Sequence, residues 1–206
     1  MGYRSNKEAE RKLREAAEAQ GGYFTSRQAA AAGYGYSHLA YHVAAGKVER
    51  VAHGLYRLLS VAISPHDELI RLALWSRDRR EQPQAVASHA TALTVHELTL
   101  LLPDRVHLTV PRGFRKKPPA GCVLHPRELA RTEVELREGF AVTTPLRTLV
   151  DAAQSADVPH EEVVRAARSA LDRGWVVRTA LADAFAREQV PAAVLKELGV
   201  RARRRQ

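Results

Sequence analysis

The chain has 206 residues, of which 45% are hydrophobic and 27% charged, a globular composition sufficient for one large domain or two small ones. Its formal net charge of +9 favours a polyanionic partner, such as nucleic acid or an acidic membrane surface. The single cysteine, Cys122, excludes an internal disulfide framework, and no apolar run approaches the ~20 residues of a membrane-spanning helix. Because residues 1–14 also lack the apolar core of a signal peptide, we expect a cytoplasmic protein without a membrane partner.

The first elements in chain order are two predicted helices. Apolar side chains between Ala9 and Ala17 recur at helical spacing and predict an amphipathic helix that ends at Gly21-Gly22. Thr25 and Gln28 then have the spacing of a capping box, in which each side chain satisfies a backbone N–H of the other residue. A short helix through Ala32 is therefore expected.

A glycine-containing turn and a third helix follow. Gly33 and Gly35 favour a tight turn because glycine adopts positive φ at little cost. Ser37 is predicted to cap the next helix, which ends before Gly46. Its core-facing side chains are expected to be Leu39, Ala40 and Val43.

The next segment reads as a β-hairpin. Lys47–Val51 and Leu55–Leu59 are predicted strands joined by a turn at Ala52–Gly54. Two short helices across a glycine turn, followed by a hairpin, predict a winged helix-turn-helix domain in residues 1–60. We call this hairpin, residues 47–59, the wing.

Residues 65–200 predict a second, mixed α/β domain, so the fold class is α+β. Its predicted helices are 65–79, 89–101, 145–154, 160–173, 177–187 and 191–198, and its predicted strands are 85–87, 106–110, 122–125, 134–136 and 140–142. Residues 201–206 carry four arginines and are expected to form a disordered basic tail.

The third helix is the candidate recognition helix, which would lie in the major groove of duplex DNA with its polar face toward base edges. The candidate base-reading residues are Tyr36, Ser37, His38, Tyr41 and His42. The candidate phosphate or minor-groove contacts are Lys47, Arg50, His53 and Arg57 on the wing, and Thr25, Ser26 and Arg27 at the start of the preceding helix. The alternative interpretation is a protein-interaction module whose charged side chains form a solvated face.

A basic, proline-containing loop is a possible second contact with nucleic acid. Its cationic residues are Arg112, Arg115, Lys116 and Lys117. A solubilising surface loop is an equally good interpretation of the same residues.

No metal or cofactor site is predicted. His38 and His42, and Cys122 and His125, have ligand-like spacings, but a structural zinc site requires four compatible ligands. The sequence contains neither a phosphate-binding P-loop nor a dinucleotide-binding glycine pattern.

No catalytic site is predicted either, and we expect a protein that is not an enzyme. Ser88 and His89 are adjacent in sequence, which argues against a nucleophile–base pair, and Asp151 is expected to pair with Arg147 one helical turn away. Glu133 and Glu135 are expected to share one face of a strand, as a solvated surface rather than a nuclease site.

Several segments resemble the AbiEi-type antitoxins of type IV toxin–antitoxin (abortive infection) systems. In the N-terminal part, these are Gly22–Gly33, Ser37–Gly46 and Arg50–Arg57, which includes the Gly-Leu-Tyr motif of the wing. In the C-terminal part, they are Ala87–Leu98, Val106–Pro111 and Val142–Asp151, which includes Thr-Pro-Leu-Arg-Thr-Leu. The resemblance covers residues 20–155. Separately, the abundance of Arg and Ala over Lys is typical of a GC-rich bacterial genome.

The resemblance implies a repressor of its own operon that binds double-stranded DNA through residues 37–42 and 50–57. It also implies that the second domain counters a cognate toxin resembling a nucleotidyltransferase. Two alternatives stay open at this point: a nuclease guided by the winged helix, and a ligand-responsive transcriptional regulator without a toxin.

Overall fold

The computed structural model describes residues 2–199, with side chains from Lys7 onward. The basic tail predicted for residues 201–206 lies outside the described residues. The chain divides into two compact units, each with its own core. The first comprises the residues up to Trp75 together with Glu138–Phe140, and the second comprises Ser76–Arg137 and the residues from Ala141 onward. The fold class is α+β, as predicted.

The first unit has the element order predicted for a winged helix-turn-helix. Its elements are α1 (Gly2–Glu18), β1 (Tyr23–Thr25), α2 (Ser26–Ala32), α3 (Tyr36–Ala44), β2 (Val48–Ala52), β3 (Leu55–Leu58) and α4 (Asp67–Trp75). The two wing strands β2 and β3 are joined by β1 to form a three-stranded antiparallel sheet in the order β1-β3-β2. Strand β1, at one edge of this sheet, was not predicted.

The capping box at the start of α2 is confirmed. The Thr25 hydroxyl accepts a hydrogen bond from Gln28 N, and the Gln28 side chain accepts one from Thr25 N at 2.8 Å. Gly33 ends α2 at φ 99°, a left-handed conformation that a residue with a Cβ adopts only with strain. The turn between the two helices therefore depends on this glycine.

The predicted cap at Ser37 is wrong. Helix α3 begins at Tyr36 after an N-cap at Gly35, and no side chain caps it. Ser37 therefore lies inside the first turn of α3 and is exposed. Ala40 is exposed too, so the inward face of α3 is formed by Leu39 and Val43 without it.

The core of the first unit is small and depends on a few fully buried side chains. Phe24 of β1 stacks on Tyr56 of β3, with ring centroids 5.7 Å apart, and Leu13 of α1 and Leu39 of α3 belong to the same cluster. Burial of each such side chain contributes roughly 1.5–3 kcal/mol. The contacts fix α3 and the wing on a common base.

Helix α4 extends the first unit beyond the range 1–60 predicted for the winged domain. The Tyr23 hydroxyl donates to Asp67 at 2.8 Å, and Ile70 is fully buried. The helix ends at Trp75, earlier than the predicted residue 79, because the Ser76 hydroxyl accepts hydrogen bonds from the amides of Gln84 and Ala85.

The second unit is a five-stranded mixed sheet with helices. Its strands are β4 (Val86–Ala87), β5 (Val106–Val110), β6 (Cys122–Pro126), β7 (Val134–Leu136) and β8 (Ala141–Thr143), in the order β6-β5-β4-β8-β7. Its helices are α5 (His89–Val95), α6 (Pro145–Gln154), α7 (His160–Asp172), α8 (Arg178–Arg187) and α9 (Ala192–Glu197). Strand pairs β4/β8 and β5/β6 are parallel, whereas β4/β5 and β7/β8 are antiparallel.

Two predicted elements of this unit differ in the structure. Helix α5 ends at Val95 rather than residue 101, because the chain turns at Glu97 (φ 53°) and Leu98 N bonds back to Leu93 O. Glu133 closes a short 3₁₀ helix, Arg131–Glu133, before β7 begins. The prediction that Glu133 shares a strand face with Glu135 is therefore wrong.

The capping geometry gives a matched test within the first unit. We expect Thr25→Ala to lower the free energy of unfolding by about 1 kcal/mol, because the Gln28 amide loses its acceptor. Ser37→Ala is the control and should change it by less than about 0.5 kcal/mol, because the Ser37 hydroxyl caps nothing. Urea unfolding of both variants measures the difference, and equal losses would contradict this assignment of the cap.

Candidate functional site

The outer face of α3 is the most exposed surface of the helix-turn-helix. Tyr36 is 84% and Tyr41 65% exposed, and Ser37 is exposed between them. Ser37 and Tyr41 are neighbours because they are four positions apart on the helix, and Tyr36 lies at the edge of the same face. Leu39 points the opposite way and is buried. Two aromatic side chains and a hydroxyl are thus presented to solvent.

His38 and His42 do not join this outer face. The His38 ring stacks on Tyr34 at 4.5 Å, and its Nε2 lies 3.1 Å from Nε2 of His42. His42 also lines a cavity of about 450 Å³ together with Leu13 and Val48. Burial, followed by the charges of His38 and Lys47, lowers the pKa of His42. Both histidines are half-buried packing residues, a role that helical spacing alone did not distinguish from base reading.

The wing supplies the cationic part of the surface. Lys47, Arg50 and His53 are all exposed. A groove of about 230 Å³ separates α3 from the wing, with Tyr36 and Arg50 among its lining residues. The outer face of α3 and Arg50 of β2 are therefore adjacent parts of one surface, with Lys47 and His53 at the two ends of β2.

Arg57 is not part of this surface, contrary to the prediction that it contacts DNA. It lies on the central strand β3 and is 7% exposed. Its Nη2 donates to Val61 O at 2.7 Å. A guanidinium held inside its own domain is unavailable to a phosphate, so Arg57 has a structural role.

The start of α2 is largely satisfied by the chain itself. Ser26 N donates to Gly54 O at 2.9 Å, and Gln28 N donates to the Thr25 hydroxyl. Most of the groups at the start of α2 that were predicted to hold a phosphate are therefore already engaged within the chain. The side chains of Ser26 and Arg27 remain exposed beside the wing turn.

The basic loop between β5 and β6 is exposed but attached to its own unit. Arg112 N donates to Glu128, and the Lys116 ammonium donates to Arg77 O at 2.7 Å. Arg115 Nη1 donates to the backbone oxygens of Arg112 and Phe114, and Lys117 is exposed. The loop thus presents cationic side chains from a defined backbone.

Three histidines lie together in the second unit, which the sequence did not predict. His107 Nδ1 lies 3.0 Å from His125 Nε2, and the His125 ring stacks on His89 with centroids 3.6 Å apart. Burial lowers the pKa of all three, and burial together with the charges of His125 and His107 lowers the pKa of His89 to about 3. All three rings are therefore neutral at pH 7. Across residues 2–199, no group of three or more His, Cys, Asp or Glu side chains is arranged to hold a metal ion.

Two residue pairs that the sequence analysis considered, Cys122 with His125 and Ser88 with His89, differ in whether their side chains meet. Cys122 and His125, three residues apart on β6, point to opposite faces of the sheet, as alternation along a strand requires. The expectation that Ser88 and His89 do not contact each other is wrong: Ser88 Oγ lies 2.9 Å from His89 Nδ1. His89 has φ 52°, and this left-handed backbone turns its ring back toward the preceding residue.

Asp151 pairs with Arg147, as predicted. Arg147 Nη2 and Nε both donate to Asp151 Oδ1, at 2.6 and 2.9 Å. The same guanidinium donates to Glu188 at 3.1 Å and lies 3.7 Å from Glu133. Asp151 and Glu133 therefore balance the charge of a buried arginine, which is a structural role.

Comparison with known proteins finds a family match for the N-terminal segment. Residues 11–59 match the family described as "Transcriptional regulator, AbiEi antitoxin", which confirms the resemblance for this part of the chain. No match was found among curated proteins. A solved structure similar to this chain is that of the RV2827C protein from Mycobacterium tuberculosis, with a TM-score of 0.46 and 18% identity, covering 97% of this chain and 83% of that one. Between residues 2 and 199, no helix has both the length and the apolarity to cross a membrane.

The buried histidines predict an acid-sensitive fold. Each has a pKa in the folded state below its unfolded value near 6.5. Below pH 6.5 the unfolded chain therefore binds protons that the folded chain does not, and the stability present above pH 6.5 is lost as pH falls toward the folded pKa. For His89, whose folded pKa is about 3, the free energy of unfolding should fall by up to ~1.4 kcal/mol per pH unit below about pH 6. Urea unfolding between roughly pH 8 and 5 measures this slope.

Two variants separate this effect from general acid sensitivity. Asn tolerates positive φ, so His89→Asn should keep the backbone conformation. It should reduce the pH slope of the free energy of unfolding by the contribution of about one proton. His53→Gln, on the exposed wing, should leave the slope unchanged. An unchanged slope in His89→Asn would refute the role assigned to His89.

Proposed function

We propose that this chain, whose N-terminal segment is of the AbiEi regulator type, is a sequence-specific DNA-binding repressor. The observation that carries the proposal is the continuous surface formed by the outer face of α3 and the basic wing. A helix with exposed polar and aromatic side chains fits the major groove, and adjacent cations suit the flanking phosphates. The net charge of +9 favours the same partner.

The residues divide between two proposed roles. Tyr36, Ser37 and Tyr41 are the proposed base-edge contacts, because they are the exposed polar positions of α3. Lys47, Arg50 and His53 are the proposed phosphate or minor-groove contacts. Ser26 and Arg27 lie beside the wing turn and are proposed to extend the phosphate contacts.

The biological context that we propose follows from the AbiEi description of residues 11–59. The chain is proposed to act in the cytoplasm, to repress its own operon and to serve as the antitoxin of a type IV system. Residues 65–200, the proposed antitoxin domain, would counter a toxin resembling a nucleotidyltransferase and encoded by the adjacent gene. The exposed basic loop at residues 112–117 is a further proposed contact with nucleic acid.

The first test is a gel-shift titration on the DNA upstream of the protein's own gene, at two salt concentrations and with a scrambled competitor. We expect selective binding that weakens as salt increases, because phosphate contacts release counterions. Binding equal to that of the scrambled DNA would refute autoregulation and favour a protein-interaction role for the helix-turn-helix.

An arginine pair tests the position of the interface in the same assay. Arg50→Ala should weaken binding to all sequences alike and reduce the salt slope by about 1, as expected for one lost phosphate contact. Arg71→Ala removes an equally exposed guanidinium, from α4, and should change neither quantity. Equal effects of the two substitutions would indicate general electrostatics rather than a wing contact.

The antitoxin role has an independent test. Expression of the adjacent gene alone should arrest growth, and co-expression of this chain should restore it. A variant with Tyr41→Ala, which affects only the proposed base contacts, should still restore growth when its expression is driven from a separate promoter. Growth arrest that persists with the unaltered chain would contradict the antitoxin role and leave the DNA-binding proposal to the gel shift.

A further inference from the structure

The second unit contains a cavity of about 290 Å³ that no step of DNA recognition uses. Its walls are mainly apolar and come from α5, the loop after it and the loop that precedes α7, with Leu93, Leu101, Leu102 and Val158 among them. Its polar lining is confined to a few side chains, including His107, Asp157 and Arg105. Apolar walls with a few converging polar groups are typical of small-molecule sites.

The loop that forms one wall is fixed by hydrogen bonds. Leu101 N donates to the Thr99 hydroxyl at 3.0 Å, and that hydroxyl donates to Glu162 of α7, also at 3.0 Å. The Thr94 hydroxyl donates to Leu101 O at 3.3 Å. These bonds hold the wall of the cavity within the second unit itself. Leu102, which lines the cavity, is 83% exposed, so an occupant would cover apolar surface that now faces water.

At the polar end, Asp157 Oδ1 pairs with Arg105 at 3.5 Å, while its Oδ2 faces His107. His107 is 2% exposed, and its Nδ1 is taken by His125. Its Nε2 lies 3.8 Å from Asp157 Oδ2, which is too long for a hydrogen bond. The nearby carboxylate favours the tautomer that carries its proton on Nε2. A buried N–H donor and a carboxylate acceptor thus lie side by side at the cavity.

A hydroxyl group satisfies both partners at once. Its oxygen can accept from His107 Nε2–H while its proton is donated to Asp157. A carboxylate ligand could not donate, and it would meet an unfavourable charge balance, since Asp104 and Asp157 outnumber Arg105 among the lining residues. The chemistry therefore favours a neutral ligand.

The volume sets the size of the apolar body. A cavity of about 150 Å³ holds benzene. This cavity is about twice as large and suits a bicyclic or similarly sized body. We propose that the second unit binds a small neutral molecule with an apolar body and a hydroxyl group, and that this hydroxyl bridges His107 Nε2 and Asp157 Oδ2 from the cavity side. This site goes beyond the proposed DNA binding and does not depend on it.

The proposal is tested with 2-naphthol as the probe, by calorimetric titration of the full chain in the absence of DNA. We expect one saturable site with a Kd on the order of 10–100 µM. Two analogues of the same size serve as controls. The methyl ether 2-methoxynaphthalene can accept but not donate and should bind at least about tenfold more weakly. The anion 2-naphthoate should be weaker still.

Substitutions locate the site. Ala90→Phe fills the cavity from α5 and should abolish binding, whereas Ala186→Phe, on the exposed face of α8, should not. Asp157→Asn removes the charged acceptor from a partly exposed residue. It should weaken the binding of 2-naphthol about tenfold and leave the affinity for the methyl ether unchanged.

One readout does not depend on any variant. In the unaltered chain, 2-naphthol should shift the ring resonances of His107 and leave those of His53 in place. No saturable binding, binding that survives Ala90→Phe, or equal affinity for 2-naphthoate would each overturn the proposal. Because no DNA is present, none of these results bears on the gel-shift outcome.

Discussion

The junction at Thr25 and Ser26 determines the geometry of the first unit. Within two residues the chain ends β1, begins α2 and bonds the wing turn through Ser26 N and Gly54 O. Thr25 also faces Leu55 in the strand register, so the cap and the sheet share one residue. Since α3 follows α2 through a glycine turn, the positions of the outer face of α3 and of the wing both depend on this junction. The proposed DNA surface is therefore organised by backbone hydrogen bonds rather than by its own side chains.

Local signals in the sequence predicted most of the fold. The capping box and the glycine turn each involve residues near one another in the chain, and their elements were predicted closely. The alternation in Val106–Val110 gave the correct bounds of β5 but predicted a half-buried strand, whereas His107 and Thr109 are buried too. Roles that depend on distant neighbours were not predictable. Arg57 is buried where the segment after β3 supplies the Val61 carbonyl to its guanidinium, and His107 meets His125 through the parallel pairing of β5 and β6. Exposure of the candidate residues on α3 and β2 agrees with the sequence, whereas His38 and His42 are half-buried against each other and Tyr34, and Arg57 is buried.

The second unit follows a different rule, in which buried charge is balanced locally. Arg147 is almost completely buried, and a lone guanidinium there would be strongly destabilising. Its carboxylate partners come from its own helix, from the end of the 3₁₀ helix and from the residue after α8. These ion pairs also specify which surfaces meet, since Asp151, Glu133 and Glu188 must all face one point. The histidine cluster is accommodated differently, by remaining neutral.

The membership of Glu138–Phe140 in the first unit bears on the order of events during synthesis. Phe140 is buried against His66, and the backbone around Gly139 lies close to Ile70 and Gln20. A ribosome releases these partners long before it releases residue 140. The helix-turn-helix and the wing are complete by then, while the apolar surface around Ile70 stays uncovered until a segment that follows four strands of the second unit is translated. Final closure of the N-terminal core is therefore a late step in translation, even though most of its sequence is translated first.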